Sequence, residues 1–147
     1  MDLTYKRIGD PESFRKFQDQ LRSCNLPADD LDFNRDLVVG YYEGDELIGT
    51  GALEIHGNYA LLRSLSVRLG TRGRSIGSSI TEYLLNQAAS QNIKAVYLLT
   101  ETAHEFFQRK GFRDVPRDEA PEEVKTSAEF SHLCPASAAV MMLPLNV

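Results

Sequence analysis

The sequence predicts a single α/β domain, a mixed sheet with helices on both faces in which an antiparallel meander feeds a parallel strand–helix–strand crossover. Three observations predict it. Leu37–Glu43, Leu47–His56 and Tyr59–Val67 are β-rich runs, joined by Gly44-Asp45 and then by the turn His56-Gly57-Asn58. The periodicity then changes, and Ile76, Ile80, Tyr83, Leu84 and Ala88 recur at helical spacing, giving a helix that ends near Asn92. Ala95–Leu99 follows as a short apolar run, the pattern of a parallel strand buried on both faces.

The other elements follow in order. Thr4–Ile8 alternates weakly and reads as a first strand. Asp10-Pro11-Glu12 opens a helix: Asp10 caps it, Pro11 suits the first helical position and Glu12 favours the positive end. Phe14, Phe17 and Leu21 form its buried stripe, and Asn25–Asp36 is a polar connection with room for one helical turn. Ala103–Lys110 reads as a compact helix with Phe106 and Phe107 inside and Gly111 as a left-handed cap. Phe112–Val115 is a strand, Glu119–Phe130 is polar and mostly helical, and Ala138–Leu143 is a last apolar strand. Chain-terminal strands often lie at sheet edges, so a homodimer paired through this last strand is open beside a monomer.

A chain of 147 residues suits one domain, 1–147, and can bury a real core. No run of about 18 apolar residues is present to span a membrane. The start has no basic segment followed by an apolar one, which predicts a cytoplasmic protein rather than a secreted one. Cys24 and Cys134 lie far apart without metal-ligand spacing, so neither a disulfide framework nor a metal site is expected. The formal net charge of −5 argues weakly against nucleic acid as a partner. Within that acidic chain, residues 63–74 hold Arg63, Arg68, Arg72 and Arg74 and no acid, which is either a solvated basic face or a place that attracts an anion.

Position favours the anion. Arg72-Gly73-Arg74-Ser75-Ile76-Gly77-Ser78 lies where the third meander strand ends and the long helix begins. Small residues there let a ligand approach the backbone, and the first N–H groups of a helix have no internal partner. An anion can be held by several of these amides at once, with Arg72 and Arg74 adding charge. A Walker-type loop would need Lys after its last Gly, and the dinucleotide fingerprint needs a different glycine spacing from Gly70, Gly73, Gly77.

Leu65-Ser66-Val67 followed by Arg72-Gly73-Arg74-Ser75-Ile76-Gly77 resembles the acetyl-CoA signature of the Gcn5-related N-acetyltransferases (GNATs), [QR]xxGx[GA]. Phe106–Phe112 is similar to their later aromatic-xxx-Gly-Phe motif, and the resemblance covers nearly the whole chain. It implies an acetyl-CoA-dependent N-acetyltransferase acting on a small-molecule amine. The residues matching Leu65, Ser66 and Val67 would present backbone groups to the pantetheine arm. Those matching Arg72, Gly73, Arg74, Ser75, Ile76, Gly77 and Ser78 would hold the pyrophosphate, with Phe107 beside the cofactor. Ser75 stands where the signature has Gly, and a helix N-terminus accommodates serine when its φ is negative. Segments 98–107, 115–121 and 130–137 resemble the acetyltransferases encoded among arsenic-resistance genes and, more distantly, the acetyltransferase domain of N-acetylglutamate synthase. That second relative often has Arg after its Thr-rich strand end. Thr100–Ala103 contains none, which argues against glutamate as acceptor.

The implied chemistry needs a neutral amine, a polarised thioester carbonyl and a protonated leaving thiolate. An alkyl amine with a pKa of roughly 9–10 is almost entirely protonated at neutral pH, so a base is expected. Glu54 and Glu101 are the candidates, and backbone N–H near Leu65–Val67 would polarise the carbonyl. Many relatives place a Tyr acid where this chain has Phe107, leaving Tyr97, Tyr83 or solvent to protonate the thiolate. Arg63, on the cofactor strand, is the candidate for an acceptor carboxylate or arsenical oxyanion. A packed Cys134 is the preferred reading over an arsenic ligand. Ser75 and Phe107 together also motivate an alternative, a catalytically silent acyl-CoA-binding or regulatory domain on the same fold.

Overall fold

The computed structural model describes residues 3–68, 70 and 75–145. Its elements run β1 (Leu3–Arg7), α1 (Pro11–Ser23), β2 (Leu37–Glu43), β3 (Glu46–His56), β4 (Tyr59–Val67), α2 (Ile76–Ser90), β5 (Ala95–Thr100), α3 (His104–Arg109), β6 (Arg113–Asp114), α4 (Glu122–Lys125) and β7 (Ala139–Pro144). The strands form one mixed sheet in the order β1-β2-β3-β4-β5-β7-β6. Contacts gather the chain into two compact units, Met1–Glu54 with Leu62–Asn86 and Ile55–Leu61 with Gln87–Val147.

In the first unit, β1 pairs antiparallel with β2, and β2 with β3, with an irregularity at Tyr41/Tyr42. Asp10 caps α1 as expected: its carboxylate accepts from the Ser13 amide at 2.9 Å. Phe17 and Leu21 of α1 bury against Ile8, Ala28, Leu31, Val38 and Ala52. The connection that follows contains one tight turn, in which the Asp36 amide donates to Asp32 O at 2.7 Å.

Helix α2 covers the opposite face of the same strands. Gly49 and Gly51, two apart on β3 and so on one face, lie beneath it. A Cβ at Gly49 would stand 2.6 Å from Ile80 Cδ1 and 3.2 Å from Ile76 Cγ2, and one at Gly51 would stand 2.7 Å from Ile80 Cγ2. These glycines let the helix approach the strand closely, and Ile76, Ile80, Leu84 and Ala88 supply the buried stripe that the spacing predicted.

In the second unit, Tyr59–Leu61 of β4 pairs parallel with Ala95–Tyr97 of β5, and β5 pairs antiparallel with β7. Gly111, at φ +100°, ends α3 in the left-handed conformation expected of it. Glu119–Phe130 is mostly helical, as expected, but in short pieces: a 3₁₀ turn at Arg117–Glu119, the single turn of α4 and a π turn at Glu129–Leu133. Pro116 and Pro121 interrupt the backbone, and Arg117 closes the segment by donating to Phe130 O at 2.9 Å and to Pro135 O at 3.1 Å. One expectation is corrected: the last strand is not the edge of the sheet, since β7 lies between β5 and the two-residue β6.

Candidate active site

Strand β4 carries the first half of the site, and it is not a regular strand. Arg63 and Ser66 reach the same face, that of α1, although strict alternation would put residues three apart on opposite faces. Ser64 supplies the phase shift, with φ +61°, a left-handed conformation inside a strand that costs a non-glycine residue of order 1–3 kcal/mol.

Hydrogen bonds hold this bend from the α1 side. Thr50 Oγ1 donates to Ser64 O at 2.7 Å. Its one hydrogen being so used, it accepts from Ser66 Oγ, which in turn accepts from Gln20 Nε2 at 3.0 Å. Arg63 commits all five of its N–H groups to the protein. Nε donates to Ser64 Oγ at 3.2 Å, Nη1 to Asp30 Oδ2 and, at 2.7 Å, to Glu54 Oε2, and Nη2 to Asp30 Oδ1 at 2.8 Å and Pro27 O at 3.3 Å. The guanidinium is wholly buried, so the residue expected to face the acceptor is engaged by Asp30 and by the proposed base Glu54. Asp30, Thr50, Gln20 and Ser64 escaped the sequence reading, because nothing in their local pattern ties them to a residue dozens of positions away.

The start of α2 carries the second half. Arg72, Gly73 and Arg74 lie outside the described residues. The first helical hydrogen bond runs from the Ser79 amide to Ser75 O at 3.0 Å, placing the amides of Ile76, Gly77 and Ser78 ahead of the internal ladder. Ile76 is buried and fixes the turn, Gly77 and Ser78 are half-buried, and Ser75 is exposed. The condition under which Ser75 would sit at ease, a negative φ, is not met: its φ is +60°. The position demands left-handed backbone, which explains why a signature would carry glycine there.

A bent strand and a helix start seated on two glycines stand within one unit, joined by a short connection. The acetyltransferase (GNAT) domain model matches residues 34–114, more than half of the 147-residue chain, from the approach to β2 through β6. The chain belongs to the GNAT acetyltransferase family.

Solved structures agree on the fold of this GNAT domain. N-acetylglutamate synthase from Neisseria gonorrhoeae, complexed with coenzyme A and L-arginine, superposes with a TM-score of 0.81 at 14% identity over 99% of this chain, which spans 34% of that one. A Mycobacterium tuberculosis protein in complex with CoA and NLQ gives a TM-score of 0.78 at 20% identity, covering 97% of this chain and 99% of that one. A GNAT acetyltransferase from Staphylococcus aureus Mu50 gives 0.77 at 17%, covering 99% and 100%. The chain thus spans about a third of the length of the synthase and the whole length of the other two.

The GNAT domain's remaining candidate residues are placed as follows. Leu65 and Val67 are half-buried on β4, and Ser66 is buried. Glu101 is exposed, immediately after β5, where Thr100 Oγ1 accepts from the Ala103 amide at 3.0 Å. Phe107 is buried, edge-on to Phe106 at 5.0 Å and to Phe112 at 5.6 Å. Tyr97 is buried and edge-on to Tyr59, and burial pushes its hydroxyl above the ordinary tyrosine value. Tyr83 stacks on Tyr5 with ring centroids 4.3 Å apart. Cys24 and Cys134 are not joined in a disulfide, and no helix among the described residues is long and apolar enough to cross a membrane.

Proposed function

We propose that this domain, residues 1–147, moves the acetyl group of acetyl-CoA to the amine of a small molecule by direct attack on the thioester. The observation that supports it best is the seat of α2. Gly49 and Gly51 hold the helix start against β3, presenting the Ile76, Gly77 and Ser78 amides with the positive end of the dipole for a diphosphate. The adjoining end of β4, Leu65–Val67, offers backbone groups for the pantetheine arm and for the thioester carbonyl.

In this scheme the neutral amine nitrogen attacks the carbonyl carbon, the C–N bond forms and the C–S bond breaks. CoA leaves as a thiolate and takes a proton, while the amine loses one. Glu101, exposed at the carboxyl end of β5, is free to meet an incoming ammonium through water, whereas Glu54 is bonded to Arg63. With every Arg63 donor in use, an acceptor carboxylate or oxyanion would need a different cation. The reading therefore centres on the amine, with amino acids and amino-substituted arsenicals as members of the acceptor panel. We also place the reaction in the cytoplasm.

Two experiments test this. Thiol release from acetyl-CoA is followed across amines, amino acids and an aminoarsenical, and turnover on at least one is expected. Gly77→Asp places a carboxylate against the phosphates and is expected to abolish CoA binding in calorimetry; unchanged affinity rejects the seat. A second reading, a silent acyl-CoA-binding domain, draws on the left-handed Ser75 and on Phe107, which cannot donate a proton. CoA binding without turnover on any acceptor would favour it.

A further inference from the structure

The buried charges around Arg63 join three elements of the first unit: the connection between α1 and β2, strand β3 and the bend of β4. Their partners explain how the charges are neutralised, but not why they stand there. A left-handed serine inside a strand is sparsely populated and persists only when its surroundings over-determine it. Here Arg63 Nε holds the Ser64 side chain from one side and Thr50 holds its carbonyl. The opposite edge of the guanidinium grips both Asp30 oxygens and Pro27 O, so the bend is fastened to residues 27–30. That segment has an independent anchor, because Ala28 and the adjoining Leu31 are buried in one cluster with Phe17 and Leu21 of α1.

We propose that Arg63 is a positioning residue for acetyl transfer: by clamping the 27–30 segment to Ser64 it fixes the bend of β4 and thereby the orientation of the Leu65–Val67 backbone. This rests on the acetyl-transfer reading above. The guanidinium touches no reacting atom. It acts through the strand, and lysine cannot replace it, since an ammonium keeps the charge but loses the planar fork and its five donors.

The test compares Arg63→Lys and Asp30→Asn with the wild type. Steady-state kinetics are measured with each substrate varied, alongside amide hydrogen exchange at Leu65–Val67, with the β7 amides as reference. Arg63→Lys is expected to lower kcat about tenfold or more with KM for acetyl-CoA changed little, as a misoriented reacting group does. Exchange at Leu65–Val67 should accelerate while β7 stays unchanged. Asp30→Asn, which leaves the Arg63–Glu54 and Arg63–Ser64 bonds in place, should move both readouts in the same direction by less, and it decides the matter if Arg63→Lys fails to fold. A lowered Tm with kcat and exchange both unaltered overturns the proposal. Should the wild type turn over no amine, the transfer reading falls, and the exchange measurement alone still decides whether Arg63 sets the bend.

Discussion

Placing a methyl group at Gly51 tests the closeness of α2 to the sheet. The new Cβ would stand 2.7 Å from Ile80 Cγ2 and 2.8 Å from Leu84 Cδ1, against an ordinary carbon–carbon contact of about 3.5–4.0 Å. Both neighbours are fully buried, and Ile80 is β-branched and stiff at χ1, so the strain is relieved largely by α2 moving outward. Overpacking of this kind costs about 1–3 kcal/mol, while alanine gains roughly 0.4–1 kcal/mol over glycine through the unfolded state. The net loss is of order 1 kcal/mol, or about 2–4 °C in Tm for a chain of this size. If the seat of α2 binds the diphosphate, lifting it also weakens CoA by about 1 kcal/mol, roughly fivefold in Kd. Gly9→Ala is the control, since a Cβ there meets nothing within 4 Å. Thermal unfolding and calorimetric titration of both variants are the assays. A Gly51→Ala protein as stable as the control, with wild-type CoA affinity, refutes the argument.

Ser75→Gly removes a left-handed serine worth about 1–2 kcal/mol of strain, partly offset by the greater freedom of unfolded glycine. Its Tm should rise slightly and its CoA affinity should not fall; a lower Tm in differential scanning calorimetry would show that serine is at ease there. Tyr5 is pushed up to about 12, first by burial and then by Tyr41, against a hydrogen bond with Ser79 that works the other way. Its neutral form is therefore favoured by folding, and the resulting stability is complete below about pH 10 and lost as pH rises toward 12. Denaturation curves of Tyr5→Phe should accordingly fall less steeply than wild type across that window. The Asp10 carboxyl is held below its ordinary value, chiefly by the Ser13 amide, so its contribution exists above the unfolded carboxylate range and vanishes as pH falls through the lowered value. Wild type and Asp10→Ala should converge in stability at acid pH, and a gap that persists there counts against the cap.

What was legible in the sequence is what local chemistry writes there. The bounds of β2 and β4, the Asp10 cap, the Gly111 cap and the stripe of α2 each follow from residues within one turn or one strand. Arg72–Ser78 stood out for the same reason, since small and basic residues cluster at a strand-to-helix boundary. The bend at Ser64 was not legible, because a phase shift of one residue in a strand with buried residues on both faces leaves little mark on hydrophobic alternation. Nor was the engagement of Arg63. Its partners Asp30 and Glu54 are 33 and 9 positions away, and only the folded chain brings them together. The helical character of Glu119–Phe130 was legible, but its division into short pieces was not, because Pro121 and a tertiary bridge from Arg117 set where each piece begins and ends.

The two faces of β3 and β4 are built on opposite principles, and the site depends on both. Toward α2 the sheet offers glycines and aliphatic side chains, so distance is set by van der Waals contact and the helix start has one depth at which it can sit. Toward α1 the same strands carry Thr50, Glu54, Arg63, Ser64 and Ser66, which join Gln20 of α1 and Asp30 of the connection that follows it in a continuous set of hydrogen bonds. Hydrogen bonds fix direction where packing fixes depth. A bent strand needs direction, because an interrupted ladder must satisfy its buried polar groups elsewhere or lose their desolvation energy. Among the described residues no buried side-chain polar atom lacks a partner, and at the bend itself the Ser64 carbonyl is met by Thr50 Oγ1. Such a network is sensitive to any single deletion and tolerant of none of its members being merely approximate. Apolar repacking of the Arg63 cluster could therefore preserve the fold and even its stability while releasing the strand. That divergence between stability and turnover is the signature by which a positioning role is told from a structural one.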